Sequence, residues 1–150
     1  MSEDASRMVE VGDKDVTDRR AVAEAEVRMR PETVERLEEG TEKGLPLEAA
    51  RIAGLMAVKR TPELLPFCHP VAVTGAEVEV AADRSGGRVG IRATVRARDR
   101  TGVEMEALTA CAVAALSIYD TAKAFQRDAV IQRVRLVEKG GGTGGDYRAS

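Results

Sequence analysis

The segment VAVTGAEVEVAADRSGGRVGIRATVRAR, residues 71–98, decides the fold of this chain. Valine alternates with glutamate in residues 77–80, and apolar residues alternate with polar ones in residues 89–98. A period of two turns one side of a strand toward a core and the other toward solvent. Turn-forming residues from Asp83 to Gly87 separate the two stretches. The segment therefore predicts an antiparallel β-hairpin.

One strand and two helices are predicted upstream of the hairpin. Residues 21–30 alternate as a half-buried strand. A short helix then runs from Pro31 to just before Gly40, because proline favours the first helical position and glycine the position after the end. A second helix covers residues 47–60. We expect its buried face to consist of Ala49, Ala53, Met56 and Ala57.

The remaining elements complete an α+β pattern. Prolines at positions 62, 66 and 70 predict a loop before the hairpin. A long helix is predicted from Val103 to Arg127, and a last strand from Val130 to Glu138, kinked near Gln132. This order predicts a ferredoxin-like βαββαβ fold, with a four-stranded antiparallel sheet and helices on one face. The middle of the long helix is apolar nearly all round, which favours self-association.

Composition narrows the functional class. The 150 residues suggest one domain, with flexible segments at 1–7 and 140–150. A net charge of −2 argues against a general nucleic-acid surface. The N-terminus is no signal peptide, and the longest apolar stretch, residues 107–119, is too short to span a bilayer. Two cysteines suit a reducing cytoplasm, so we expect a soluble cytoplasmic protein.

The loop Pro66-Phe67-Cys68-His69-Pro70 contains the only histidine of the chain. The two prolines restrict the backbone around His69, and a rigid histidine suits ligand binding or proton transfer. A histidine that merely caps the loop by hydrogen bonding is the alternative. No metal site is expected here, because adjacent side chains of an extended segment point apart.

Acidic and basic side chains form the other candidate groups. Asp120 and Lys123 share a helix face, as an ordinary surface ion pair or as a base and an acid. Glu106, in the first turn of the long helix, either complements the helix dipole or binds a purine-like edge. Basic residues suited to phosphates, or to ordinary solvation, are scattered along the chain: Lys14, Arg19, Lys43, Lys59, Arg60, Lys123 and Lys139. The glycine-rich tail lacks the features of a Walker A loop.

Read together, these segments resemble the cyclic pyranopterin monophosphate synthase family over residues 8–146. The most specific matches are ARIAG at 50–54, KRT at 59–61, LPFCHP at 65–70 and TGVEMEALTA at 101–110. The stretch AALSIYD at 114–120 and the glycine tail after Lys139 complete them. Six matches in the same order, with fitting separations, are far more specific than any single motif.

The resemblance implies an enzyme and its site. The family converts 3′,8-cyclo-7,8-dihydro-GTP to cyclic pyranopterin monophosphate and releases pyrophosphate, a lyase step of molybdenum cofactor biosynthesis. The expected assembly is a homohexamer, a trimer of dimers, with active sites between subunits. No resident cofactor or metal is implied, and the presence of Mg²⁺ with the triphosphate is left open. The expected catalytic residues are Asp120, Lys123 and Lys43, and the substrate-binding residues are Phe67, Cys68, His69, Met105, Glu106, Lys139, Lys14 and Arg19.

Other classes of function stay open on the residues alone. An RNA-binding module of this fold would carry aromatic residues on its central strands for base stacking, and residues 71–98 have none. A regulatory domain would bind a nucleotide without turning it over. A nucleotide pyrophosphatase would need a carboxylate cluster for Mg²⁺, for which only Glu104 and Glu106 are candidates. Release of pyrophosphate separates an enzyme from a regulatory domain, and growth of a molybdoenzyme-deficient strain on complementation separates all three classes.

Overall fold

The computed structural model describes residues 5–142 and 144–150. Five strands and three helices follow one another along the chain: β1 (Thr17–Arg28), α1 (Pro31–Glu39), α2 (Pro46–Leu64), β2 (Val73–Asp83), β3 (Arg88–Asp99), α3 (Glu104–Ala122), β4 (Val130–Gly140) and β5 (Tyr147–Arg148). The strands form one antiparallel sheet in the order β2-β3-β1-β4-β5. The α+β class and the βαββαβ order through β4 are confirmed, with α1 and α2 between the first two strands.

The sheet has five strands, so the prediction of four is wrong. The fifth strand pairs Tyr147 with Lys139 and Arg148 with Glu138 of β4. The C-terminal segment expected to be flexible thus includes the end of β4 at Gly140 and a short strand. The N-terminal segment 1–7 lies partly outside the described residues. Among the residues that are described, no helix is long and apolar enough to cross a membrane.

The core lies between one face of the sheet and the helices. Alternate residues of β1, from Ala21 to Val27, are buried with alternate residues of β3, from Val89 to Ala97. Helix α3 packs across β1, β3 and β4, while α2 packs on α3 and β2. Gly54 of α2 allows this close approach, since a Cβ atom there would lie 3.2 Å from the carbonyl oxygen of Ala110 in α3.

Helix α2 is longer than predicted and buries a different face. It continues through Pro62 to Leu64, although proline was expected to end it. Thr61 stabilises this last stretch, because its side chain is fully buried and its hydroxyl donates to the carbonyl of Ala57 at 2.9 Å. The residues that α2 buries are Pro46, Ala50, Gly54, Ala57, Val58 and Thr61. Of the predicted core face only Ala57 is buried, whereas Met56 is exposed.

Helix α3 is shorter than predicted, ending at Ala122 instead of Arg127. Beyond it the chain folds back, and the hydroxyl of Tyr119 donates to the carbonyl of Arg127 at 2.7 Å. The kink predicted in the last strand is confirmed: the register of β4 against β1 shifts between Glu24 and Glu26, and Arg133 adopts a positive φ of 57°. A bulge of this kind bends a strand and redirects its side chains.

The face of the sheet away from the helices is charged. Glu24 binds Arg135 at 2.7 Å, and Glu77 binds Arg96 at 3.1 Å. Glu26 is half-buried and accepts from Gln132 at 3.2 Å. Paired charges let this face stay in water without a covering layer, and the helix-bearing side therefore contains the apolar core.

Candidate functional site

The antiparallel packing of α2 and α3 creates two polar clusters. The chain enters α2 from the Lys43 loop, beside the end of α3, and leaves it at Leu65, beside the start of α3. The first cluster surrounds the start of α3 and is called here the histidine cluster. It comprises His69, Cys68, Glu106 and their neighbours. The second, at the end of α3, is called the lysine cluster and comprises Asp120, Lys123 and Lys43.

The histidine cluster surrounds a cavity of about 580 Å³. Its lining comes from the N-terminal segment, the proline-bounded loop and the first turn of α3: Val9, Val11, Lys14, Leu65, Pro66, Phe67, Cys68, His69, Thr101, Gly102, Glu104, Met105 and Glu106. The Nε2 atom of His69 lies 2.6 Å from the carbonyl oxygen of Val9. Because a carbonyl can only accept, Nε2 of His69 is the donor in this contact.

Glu106 is the buried acid of this cavity, with 1% of its surface exposed. Burial raises the pKa of its carboxyl, and the neighbouring Glu104 raises it further, while its own backbone N–H and the Cys68 thiol lower it. The thiol of Cys68 lies 3.8 Å from Oε2 of Glu106. Partial burial, followed by the charge of Glu106, raises the pKa of the Cys68 thiol. A carboxyl of this kind retains a proton more readily than an exposed one and can donate a hydrogen bond.

Basic residues accompany the histidine cluster, but only one of them lines the cavity. That residue is Lys14. Arg19 is 7% exposed, with Nε donating to the carbonyl of Asp99 at 3.3 Å. Lys139 pairs with Ala21 of β1, so it lies on the helix-bearing face near Arg19. Within the described ranges no carboxylate lies within 4.0 Å of the Arg19 guanidinium, which leaves a buried cation available to an anion.

In the lysine cluster, two ammonium groups contact one carboxylate. Lys123 donates to Oδ1 of Asp120 at 2.8 Å, and Lys43 lies 3.4 Å from Oδ2. These contacts, that of Lys123 above all, hold the pKa of the Asp120 carboxyl below its usual range, and Asp120 raises the pKa of Lys123. A hollow of about 300 Å³ adjoins the cluster, lined among others by Lys43, Arg36 and Phe125.

The two clusters lie far apart in a single chain. Asp120 lies fourteen positions after Glu106 in α3, which is about 21 Å at 1.5 Å per residue. Asp120 is 59% and Lys123 52% exposed on the chain alone. The resemblance implies active sites between subunits, so burial of this pair against the His69 loop of another copy is a prediction about the assembly. One chain therefore forms each cluster by itself, but it does not bring the two clusters close to each other.

Three neighbours of the candidate residues were not predicted, namely Val9, Arg36 and Phe125. Val9 contacts His69 through its backbone, for which an apolar residue gives no sequence signal. Arg36 lies 4.3 Å from the centre of the Phe125 ring, beside Lys43.

The part of the chain that the structure describes contains no group of three His, Cys, Asp or Glu side chains that could share a metal ion. The frame is that of a small α+β protein with a titratable cluster at each end of one helix.

Comparison with known proteins identifies the family. The chain matches the MoaC family over residues 8–142, and it belongs to that family. It is 55% identical over 143 residues to the cyclic pyranopterin monophosphate synthase of Roseiflexus sp. (strain RS-1), covering 95% of this chain and 90% of the relative. The protein of the same name from Parvibaculum lavamentivorans is 50% identical over 146 residues, 97% of this chain and 91% of the relative. The cyclic pyranopterin monophosphate synthase of Streptomyces griseus is 54% identical over 145 residues, which cover 96% of this chain and 81% of the relative.

Proposed function

We propose that the chain converts 3′,8-cyclo-7,8-dihydro-GTP to cyclic pyranopterin monophosphate and releases pyrophosphate, a lyase step in molybdenum cofactor biosynthesis. Membership of the MoaC family and the names of the relatives support this activity. The observation in the structure that carries the proposal is the lysine cluster, where one carboxylate contacts two ammonium groups. Such a cluster can both transfer a proton and bind a polyanion.

In this proposal Asp120 is the base and Lys123 its acid partner or electrostatic support. The reaction opens a purine-derived ring, builds a pterin and closes a cyclic phosphate, and each stage moves protons. Lys43 is exposed and reaches Asp120 from a different segment of the chain. In the proposal the ammonium group of Lys43, placed beside Asp120, neutralises the triphosphate and the departing pyrophosphate.

The histidine cluster would hold the rest of the substrate. The buried Glu106 and backbone groups near Met105 would bind the guanine-derived edge, and His69 the phosphate or ribose region, with Cys68 and Phe67 in the cavity wall. The basic residues near this end would then meet the phosphates and the departing pyrophosphate: Lys14, Arg19 and Lys139. The buried Arg19 guanidinium supports that role, because an anion would compensate its charge.

The separation along α3 supports a site shared between copies. A substrate of nucleotide size cannot contact both clusters of one chain across about 21 Å of helix. We propose that Asp120 of one copy faces His69 of another, in a homohexamer built as a trimer of dimers. Exposed apolar side chains on the helices, and one just before α2, favour such contacts: Ile52, Met56, Leu116 and Leu45.

The remaining parts of the proposal concern the cofactor and the compartment. We propose no resident cofactor, because the groups assigned to proton transfer all come from the chain, and Mg²⁺ would arrive with the triphosphate. Titrating Mg²⁺ and chelator into the assay tests this directly. A reducing cytoplasm fits the two cysteines, which are both free thiols. Burial raises the pKa of Cys111 to about 12.

Assays of Asp120→Asn and Lys123→Met with the authentic substrate test the proposed function. We expect each variant to lose roughly 100-fold or more in kcat, the usual contribution of a positioned acid or base, measured as pyrophosphate released and pterin formed. Glu48→Gln is the matched control, because Glu48 forms an ion pair of the same i, i+3 kind with Arg51 on α2. If both test variants turn over like the control, the assignment is wrong.

A further inference from the structure

A tight turn presents Lys43 to Asp120. Thr41 and Gly44 exchange two backbone hydrogen bonds, each of 2.9 Å, so Glu42 and Lys43 occupy the two corners of a two-residue turn. Gly44 has a φ of +104°, a conformation that a residue with a side chain would rarely adopt. The turn joins α1 to α2 and lies beside the end of α3, so its geometry decides where the side chain of Lys43 begins.

The hydroxyl of Thr41 adds a further bond within this turn. Its Oγ1 accepts the backbone N–H of Lys43 at 3.1 Å. A threonine hydroxyl that binds the backbone two residues further on fixes the chain locally. From this fixed position Lys43 places Nζ 3.3 Å from the carbonyl oxygen of Asp120 and 3.4 Å from its Oδ2. A long lysine side chain loses conformational freedom on making such contacts, and a fixed backbone lowers that cost.

We propose that Thr41 is a positioning residue, whose hydroxyl fixes the backbone of Lys43 so that its ammonium group stays beside Asp120. The inference rests on the proposed function for its catalytic meaning, but its structural content is independent of turnover. Thr41 lines the hollow beside the lysine cluster, but its hydroxyl contacts the backbone of Lys43, and it is Lys43 that contacts Asp120. The other cation on the carboxylate, Lys123, belongs to the end of α3 and does not depend on the turn.

The surroundings of Asp120 allow a specific readout. Lys123 contacts one carboxylate oxygen and Lys43 the other, while Arg36 and Glu42 line the adjoining hollow. If Lys43 is released, the contact from Lys123 remains and that from Lys43 is lost. The pKa of Asp120 should then move upward, part of the way back to its usual range, because Lys43 is one of the groups that lower it.

The test compares Thr41→Val, which removes the hydroxyl, with Thr41→Ser, which keeps it. The pKa of Asp120 is measured by NMR titration of the full-length protein labelled with ¹³C at aspartate carboxyls. The kcat and KM are measured beside it. We expect Thr41→Val to raise the pKa of Asp120 and to lower kcat roughly threefold to tenfold, the scale of one hydrogen bond. Thr41→Ser should match the parent in both. A parent-like Thr41→Val, or an equal loss in Thr41→Ser, overturns the proposal.

A second pair of variants keeps the test decisive if Thr41→Val disturbs the turn in general. In a Lys43→Gln background Thr41→Val should change neither the pKa of Asp120 nor kcat any further, since Thr41 acts only through Lys43. Additive effects in the double variant would instead refute the positioning role. The titration also separates this inference from the proposed catalytic role of Asp120, because an active Asp120→Asn enzyme would defeat that role while the pKa of Asp120 could still be compared between the Thr41 variants and the parent.

Discussion

Two inactive variants, Asp120→Asn and His69→Ala, should recover catalysis when they are co-expressed and assemble together. Each variant is defective at only one end of α3, and the two ends are about 21 Å apart. A shared site takes Asp120 from one copy and His69 from another. With equal amounts and random mixing, half of the sites receive an intact aspartate and half of those an intact histidine. Roughly a quarter of the parent activity should therefore return, whatever the size of the closed assembly.

The assay needs proof of mixing and a mixture that cannot recover. Different affinity tags on the two variants show that mixed assemblies have formed, and pyrophosphate release is measured on the unfractionated mixture. The matched control mixes Asp120→Asn with Lys123→Met, since both residues lie at the same end of α3 and no site can regain both. If the first mixture stays as inactive as its parents although both tags are present, the shared site is refuted. Equal recovery in both mixtures would refute it as well.

Three further predictions concern stability and its pH dependence. Ile118→Ala removes a fully buried side chain of α3, so the free energy of unfolding in urea should fall by about 2–5 kcal/mol. Gly87→Ala should cost about 1–3 kcal/mol, because Gly87 has a φ of +64° and a Cβ there would lie 2.6 Å from the Met29 carbonyl oxygen. Glu106→Gln should gain stability relative to the parent as pH rises from about 4. The raised pKa of Glu106 means that its ionisation costs the folded parent stability above that pH, whereas glutamine carries no charge.

These three predictions are checked by denaturant titrations of each variant beside the parent. A loss below the stated range for Ile118→Ala would mean that the surrounding helices close the cavity. Gly90→Ala serves as the control for Gly87→Ala, because its nearest contact would be an ordinary 3.9 Å. A pH-independent difference between Glu106→Gln and the parent would show that burial does not perturb this carboxyl.

Much of the fold follows from local patterns in the sequence. The alternation in residues 89–98 and the Pro31 and Gly40 boundaries of α1 predicted elements that the structure contains. Local patterns failed where contacts between distant segments decide the outcome. Pro62 sits inside α2 because the buried Thr61 keeps that turn packed, and the two-residue strand β5 exists only through its pairing with β4.

Helix α2 shows why periodicity could not select the buried face. Apolar residues lie on both of its sides: Ala50 and Val58 point to the core, whereas Ile52 and Met56 are exposed. The candidate site was predictable to a similar degree. Residue types and the family resemblance selected the side chains of both clusters. Their distribution between opposite ends of α3 depends on the antiparallel packing of two helices, and no single motif encodes that packing.

The length of α3 has a consequence for when catalysis can begin. If the site is shared as proposed, a chain that has just left the ribosome already contains each of the proposed groups but cannot turn over a substrate until it meets a second copy. Activity per chain should therefore depend on protein concentration, falling steeply once dilution separates the copies. In a cell where the protein is scarce, the number of working sites would then rise more than proportionally with the rate of synthesis.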